Sequence, residues 1–95
     1  MARYKLSNDA KMDIARIYWR GVRQFGEKQA DLYYSNLMQK LNDIAEFPYH
    51  HPAIDHIREG FRRSVYGSEN IYFRIGDECV EIMRLLQHQD LQESL

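Results

Sequence analysis

Residues 57–75 read IREGFRRSVYGSENIYFRI, and this stretch decides the fold. Two apolar-alternating runs flank Gly67-Ser68, a dipeptide that tolerates positive φ, so the segment predicts a β-hairpin. Phe61 opens the first run. In the second, Ile71, Phe73 and Ile75 alternate with Tyr72 and Arg74, which predicts one apolar face and one face carrying an aromatic hydroxyl and a guanidinium. After the turn Gly76-Asp77-Glu78 comes a third run, CVEIMRLL at 79–86. Both of its parities are largely apolar, with Val80, Ile82 and Leu86 on one side and Cys79, Met83 and Leu85 on the other. A strand buried on both faces is most simply a central one.

Upstream of the hairpin the period changes from two to between three and four. From Asp9 the apolar positions are Ala10, Ile14, Ile17, Gly21 and Phe25, one face of a helix. Asp9 and Asp13 sit in its opening turns and Arg20 and Arg23 near its end, which suits the helix dipole. Ser7 or Asn8 is placed to cap it, and Gly26 to stop it. A second helix opens at Glu27, carries Ala30, Tyr34, Leu37, Leu41 and Ile44 on one face, and closes at Phe47-Pro48. So short a link makes the pair an antiparallel hairpin with a shared apolar seam. Tyr4-Lys5-Leu6 is a candidate short strand, residues 48–56 (PYHHPAIDH) an ordered loop, and 87–95 a polar tail, either a short helix or a frayed end. The order β-α-α-β-β-β predicts an α+β fold with both helices on one face of a curved, C-terminal antiparallel meander.

The bulk properties narrow the function. The chain has 95 residues, of which 44% are hydrophobic, enough for one small domain spanning 1–95 with a modest core. Charged residues make up 28% with net charge −1. That balance argues against disorder and against a polyanion as partner. The single cysteine, Cys79, permits no internal disulfide and reads as a core residue. Neither a secretory signal nor a membrane span is visible, so a cytoplasmic location is expected. His50, His51, Asp55 and His56 suggest a metal, but adjacent histidines in extended chain point to opposite sides, and no helical or CxxC frame holds them. No metal or cofactor is expected, and the loop is expected to titrate near neutral pH.

Arg58, Arg62, Arg63, Arg74 and Arg84 have two readings. They gather into a basic patch, because alternate positions on neighbouring strands share a face. Or they pair with Glu59, Glu69, Glu78 and Glu81 as surface salt bridges worth about 0–1 kcal/mol each. Arg84 interrupts an apolar strand, so its guanidinium needs an anionic or carbonyl partner. Tyr18, Trp19, Tyr33 and Tyr34 form an aromatic group on the helices, mostly core or half-buried cover. Trp19, off the Ile14-Ile17-Gly21 face, is the candidate exposed anchor.

The run Ile57-Arg58-Glu59-Gly60-Phe61-Arg62-Arg63, the Gly67-Ser68 turn and the strand Ile71-Tyr72-Phe73-Arg74 resemble the second half of ParE toxins. These are the DNA-gyrase-directed members of the RelE/ParE superfamily of bacterial type II toxin-antitoxin systems. The resemblance reaches back through Ala10-Lys11-x-Asp13-Ile14 to Tyr4-Lys5-Leu6-Ser7. At the close, Arg84-Leu85-Leu86 matches the family's arginine and two aliphatics. Gln87 then stands at the histidine position, His88 follows, and Asp90 lacks a preceding methionine.

The resemblance implies the same β-α-α-β-β-β fold and a toxin that binds DNA gyrase with no catalytic group of its own. It also implies a cognate ParD-like antitoxin whose flexible C-terminal region folds as it wraps the helical hairpin and sheet. The candidate target-binding residues are Arg58, Glu59, Arg62, Arg63, Arg84 and His88. Candidates for the antitoxin are Arg16, Trp19, Arg20, Arg23 and Tyr33, whose arginines suit carboxylates. A RelE-like ribosome-dependent endoribonuclease is the alternative, and it needs a base, arginines and an acid in one cleft. The chain offers arginines, Glu59 and His88 but lacks a lysine-rich approach and a tail tyrosine, and net charge −1 suits RNA poorly. A superfamily member that has lost toxicity and persists as a partner-binding protein is the third reading.

Overall fold

Every element expected from the periodicities is present in the computed structural model, which describes residues 3–87. In chain order these are β1 (Tyr4–Leu6), α1 (Asn8–Phe25), α2 (Glu27–Glu46), a 3-10 turn (Pro48–His50), β2 (Phe61–Tyr66), β3 (Glu69–Ile75) and β4 (Val80–Gln87). Ser7 caps α1: its Oγ accepts the Ala10 N–H at 2.9 Å while its hydroxyl donates to the Met83 carbonyl at 2.8 Å, fixing the helix start to β4. Gly26 alone separates the helices. Its φ of 90° lets its N–H close on the Val22 carbonyl at 3.0 Å while the chain reverses.

The strands form one sheet in the order β1-β4-β3-β2. β2, β3 and β4 are the expected antiparallel meander, and β4 is central. Tyr4–Leu6 is indeed a strand and pairs parallel with β4, Tyr4 opposite Val80 and Leu6 opposite Ile82. Both helices lie on one face of the sheet. There Ile14, Ile17, Leu37, Leu41 and Ile44 bury themselves against Ile71, Phe73, Val80, Ile82 and Leu85.

Strict alternation assigns the β4 side chains wrongly. Tyr72 pairs with Arg84 but Phe73 pairs with Ile82, so Met83 is an extra residue, a β-bulge. The bulge moves Leu85 onto the helix face with Val80 and Ile82, and puts Leu86 on the other face beside Met83. Tyr72 is also not on an open polar face. It is fully buried in a second small cluster with Ile54, Phe61 and Leu86. The loop after the 3-10 turn makes this cluster possible: Ile54 N–H bonds the Phe61 carbonyl at 2.9 Å and Arg63 N–H the Pro52 carbonyl at 3.1 Å. These bonds lay Ile54 over the sheet's second face.

On the helices, Phe25 is exposed rather than in the seam, since the chain reverses at Gly26 before a second layer covers it. Tyr34 is exposed too, and Tyr33 takes the inward place, its ring 5.3 Å from that of Tyr66. Ile75, at the end of β3, is likewise exposed. Cys79 is half-buried in the Gly76–Cys79 turn. No described helix is long and apolar enough to cross a membrane.

Candidate functional site

β1 covers the edge of β4 only as far as Ile82. Beyond it, the Leu85 N–H and carbonyl would face outward unpaired, and α1 supplies both partners. Asp13 Oδ2 accepts the Leu85 N–H at 3.0 Å, and Arg16 Nη2 donates to the Leu85 carbonyl at 2.8 Å. Asp13 also holds Arg84 through two bonds, Nε to Oδ2 at 2.8 Å and Nη2 to Oδ1 at 3.0 Å. The arginine in the apolar strand thus finds its anionic partner within the chain, in a planar two-point contact. Asp13 is not singled out as this partner in the sequence reading, though its position carries a signal that it must be paired. Three after Ala10 and four before Ile17, it lies on the apolar face of α1, where a carboxylate must be paired.

The five hairpin and β4 arginines do not form one patch. Strand alternation places Arg62 on the opposite face from Arg63. Arg62 donates to the His51 carbonyl at 2.7 Å and lies 4.9 Å from the centre of the exposed Tyr49 ring. Arg58 lies over Phe61 at 5.3 Å. Arg63 stands near the Tyr72 hydroxyl without reaching hydrogen-bond geometry, and that buried oxygen has no hydrogen-bond partner among the described residues. Burial pushes the Tyr72 pKa up, and the Arg63 charge offsets part of the rise.

Arg74 forms the surface ion pair of the second reading, with Glu81, which Lys5 also reaches at 3.1 Å. Hydrogen bonds from Arg74, then Lys5, hold the Glu81 carboxyl below its ordinary range. Glu59 is exposed, and His88 lies outside the described residues. The histidines are dispersed: His50 stacks on Phe47, and His51 meets the edge of Phe73. Among the described residues no three His, Cys, Asp or Glu side chains gather as a metal would require.

Between α1 and α2 runs a groove of about 540 Å³. Its walls are largely apolar, with Ile17, Phe25, Ala30, Leu32, Tyr34 and Leu37 among the lining, and Arg20 is the only charged residue among the described lining. Tyr18 bridges the helices by donating to Asp31 Oδ1 at 2.6 Å. That bond pushes its hydroxyl pKa up to about 12. Trp19 stands beside the groove, 58% exposed, with its ring edge-on to Tyr18. Arg23 is exposed, and Tyr33 closes the sheet end of the groove.

Arg20 forms an ion pair with the fully buried Glu69. Glu69 precedes Ile71 and Phe73 by even steps in β3, so its helix-facing direction was written in the strand period. Of the candidate helix residues, Arg20 and Tyr33 line the groove, Trp19 and Arg23 are exposed on α1, and Arg16 is bound to the edge of β4, while the candidate hairpin residues are spread over separate surroundings.

The ParE toxin family model, "ParE toxin of type II toxin-antitoxin system, parDE", matches residues 4–92. Toxin ParE1 of Caulobacter vibrioides is 35% identical over 91 residues, covering 96% of this chain and 93% of that protein. Toxin ParE1 of Mycobacterium tuberculosis is 29% identical over 96 residues, covering 99% and 98%. Among solved structures, a chain of the chromosomal ParDE TA system from P. aeruginosa superposes with a TM-score of 0.77 at 17% identity, covering 92% of this chain and 96% of its own. The fold, the family model over nearly the whole chain and these relatives agree: the chain belongs to the ParE toxin family of type II toxin-antitoxin systems.

Proposed function

We propose that this chain inhibits DNA gyrase by protein–protein binding and is neutralised by an antitoxin segment lying along the α1–α2 groove. The observation that carries the reading is the use made of Arg84. A ribonuclease of this fold needs arginine aimed at a scissile phosphate, with an acid and a base beside it. Here the Arg84 guanidinium is turned to Asp13 by two hydrogen bonds. Net charge −1 adds to this, since a protein holding RNA needs phosphate-neutralising side chains. For the target-facing surface we propose Arg58, Glu59 and Arg63 with Arg62 at its margin, and the chain beyond Gln87, including His88.

The groove suits an amphipathic partner segment. Its apolar walls lie between two helices whose exposed Trp19, Phe25 and Leu32 are costly to leave in water. The test is a pair of purified-component assays, gyrase supercoiling of plasmid DNA and translation with an mRNA-cleavage readout, each titrated with the chain alone and with its antitoxin. Inhibited supercoiling with intact mRNA, relieved by antitoxin, is the expected result. Cut mRNA with unaffected gyrase would establish the ribonuclease reading instead, and no effect in either assay would mark an inactive member.

A further inference from the structure

The α1–α2 groove ends at a charge arrangement that its antitoxin-binding reading does not by itself require. Arg20 of α1 and Glu69 of β3 pair beneath the groove's sheet end, beside Tyr33, Ser68 and Gln87. Glu69 is completely buried, and its second oxygen, Oε2, has no hydrogen-bond donor among the described residues. Its charge is therefore balanced by Arg20 alone among the described residues. Drawing that guanidinium away would strand a buried carboxylate, so Arg20 is held in place.

Only Nη2 of Arg20 is engaged with Glu69. Nε and Nη1 have no partner among the described residues, and neither is sealed from solvent. The side chain is 26% exposed and lines the groove, which has no aspartate or glutamate among its described lining residues. The result is an apolar trough with one fixed, partly unfilled guanidinium at its end.

We propose that Arg20 is a carboxylate-receiving subsite and that buried Glu69 is the positioning residue that aims it. The occupant is a protein segment carrying apolar side chains and one Asp or Glu at a set distance from them. By charge complementarity, a guanidinium with open, planar donor edges, and no other charged residue among the described lining of the groove, selects a carboxylate over an amide or a cation. The inference rests on the groove being the partner site, and the test separates the two.

Random peptides displayed as a library are selected on the full chain and re-tested on the variant Phe25→Gln/Leu32→Gln, which strips exposed apolar lining. Peptides that need the lining should share an acidic residue in fixed register. Changing it to Asn or Gln should weaken binding to the wild type about tenfold to a hundredfold. Glu69→Gln should remove most of that acid dependence although Arg20 is still present, an effect that generic destabilisation would not confine to acidic peptides. In case Glu69→Gln folds poorly, Arg20→Met/Glu69→Leu removes both charges, and acidic and amide peptides should then bind alike. Lining-dependent peptides without a fixed acidic residue would overturn the proposal, as would acid dependence that survives in either Glu69 variant. Binding indifferent to Phe25→Gln/Leu32→Gln, or no enrichment at all, would instead overturn the groove as a partner site and the proposal with it.

Discussion

Replacing Asp13 by alanine removes three hydrogen bonds at once, the two to Arg84 and the one to the Leu85 N–H, along with the ion pair to Arg16. Asp13 is nearly buried, its side chain 6% exposed, and that of Arg84 is 24% exposed. Breaking a buried pair by deleting one partner costs about 3–5 kcal/mol, and a further interaction of Arg84 places this pair at the lower end of that range. Water reaching the exposed quarter of Arg84 lowers that figure, while the orphaned Leu85 N–H adds about 1–3 kcal/mol. A net loss of about 3–4 kcal/mol follows. Domains of this size are stable by about 5–15 kcal/mol, so Asp13→Ala should fold marginally at best.

The double variant Asp13→Ala/Arg84→Met leaves no buried guanidinium. It should recover about 2 kcal/mol relative to Asp13→Ala, making the two changes strongly non-additive. Urea denaturation of wild type, both single variants and the double, followed by far-ultraviolet circular dichroism, measures all four corners. An Asp13→Ala loss below about 1 kcal/mol, or single costs that simply sum to the double, would refute the reasoning. If the proposed gyrase reading holds, the same folded double variant should inhibit gyrase as the wild type does, since the Arg84 guanidinium is turned to Asp13. Lost inhibition would return Arg84 to the target surface.

Three further outcomes are expected. Burial, with the charges of Lys40, His50 and Arg62 added, lowers the His51 pKa, so the folded state holds that proton more weakly than the unfolded chain. Stability from this group is present above the unfolded value near 6.5 and lost as pH falls through the folded one, so His51→Gln should flatten part of the decline in melting temperature between about pH 7 and pH 5. Gly67 has φ 58°, and an added Cβ would lie 2.7 Å from the Tyr33 hydroxyl oxygen. Gly67→Ala should therefore cost about 1–2 kcal/mol in urea titrations, with Tyr33→Phe relieving only the steric part. The Tyr18 titration, near 12 because of its bond to Asp31, should fall toward the ordinary value near 10 in Asp31→Asn, read by tyrosinate absorbance.

Most of the fold was legible because each element's period was carried by residues with one dominant role. Ile14, Ile17, Leu37, Leu41 and Ile44 have no use but burial, and they fell where the periods put them. The misassignments have a common origin in what a period cannot contain. Met83 as an extra residue exists only in the pairing of β4 with β3, so no count along one strand finds it. Tyr72 is buried by Ile54, which arrives from a loop with no period of its own. In the candidate site, the need of Arg84 for an anion was readable from its apolar strand. That the anion is Asp13 requires knowing that α1 crosses the uncovered end of β4.

This edge closure also ranks the helix arginines, which the sequence presents as equals at Arg16, Arg20 and Arg23. Arg16 is spent on the Leu85 carbonyl and lies 3.7 Å from Asp13. Arg16→Glu would remove a charge-assisted bond and bring a second carboxylate toward Asp13. Arg16 is 40% exposed, so screening trims the loss to about 1–2 kcal/mol. Arg23 is exposed, and Arg23→Glu should stay within about 0.5 kcal/mol of wild type. A drop in antitoxin affinity on reversing Arg16 would therefore mix lost stability with lost contact, whereas reversal of Arg23 reports contact alone. Melting each variant before measuring its affinity distinguishes these. An Arg16→Glu protein as stable as wild type would show that β4 needs no cover from α1, and the assignment of Arg16 to structure rather than to the partner would fall.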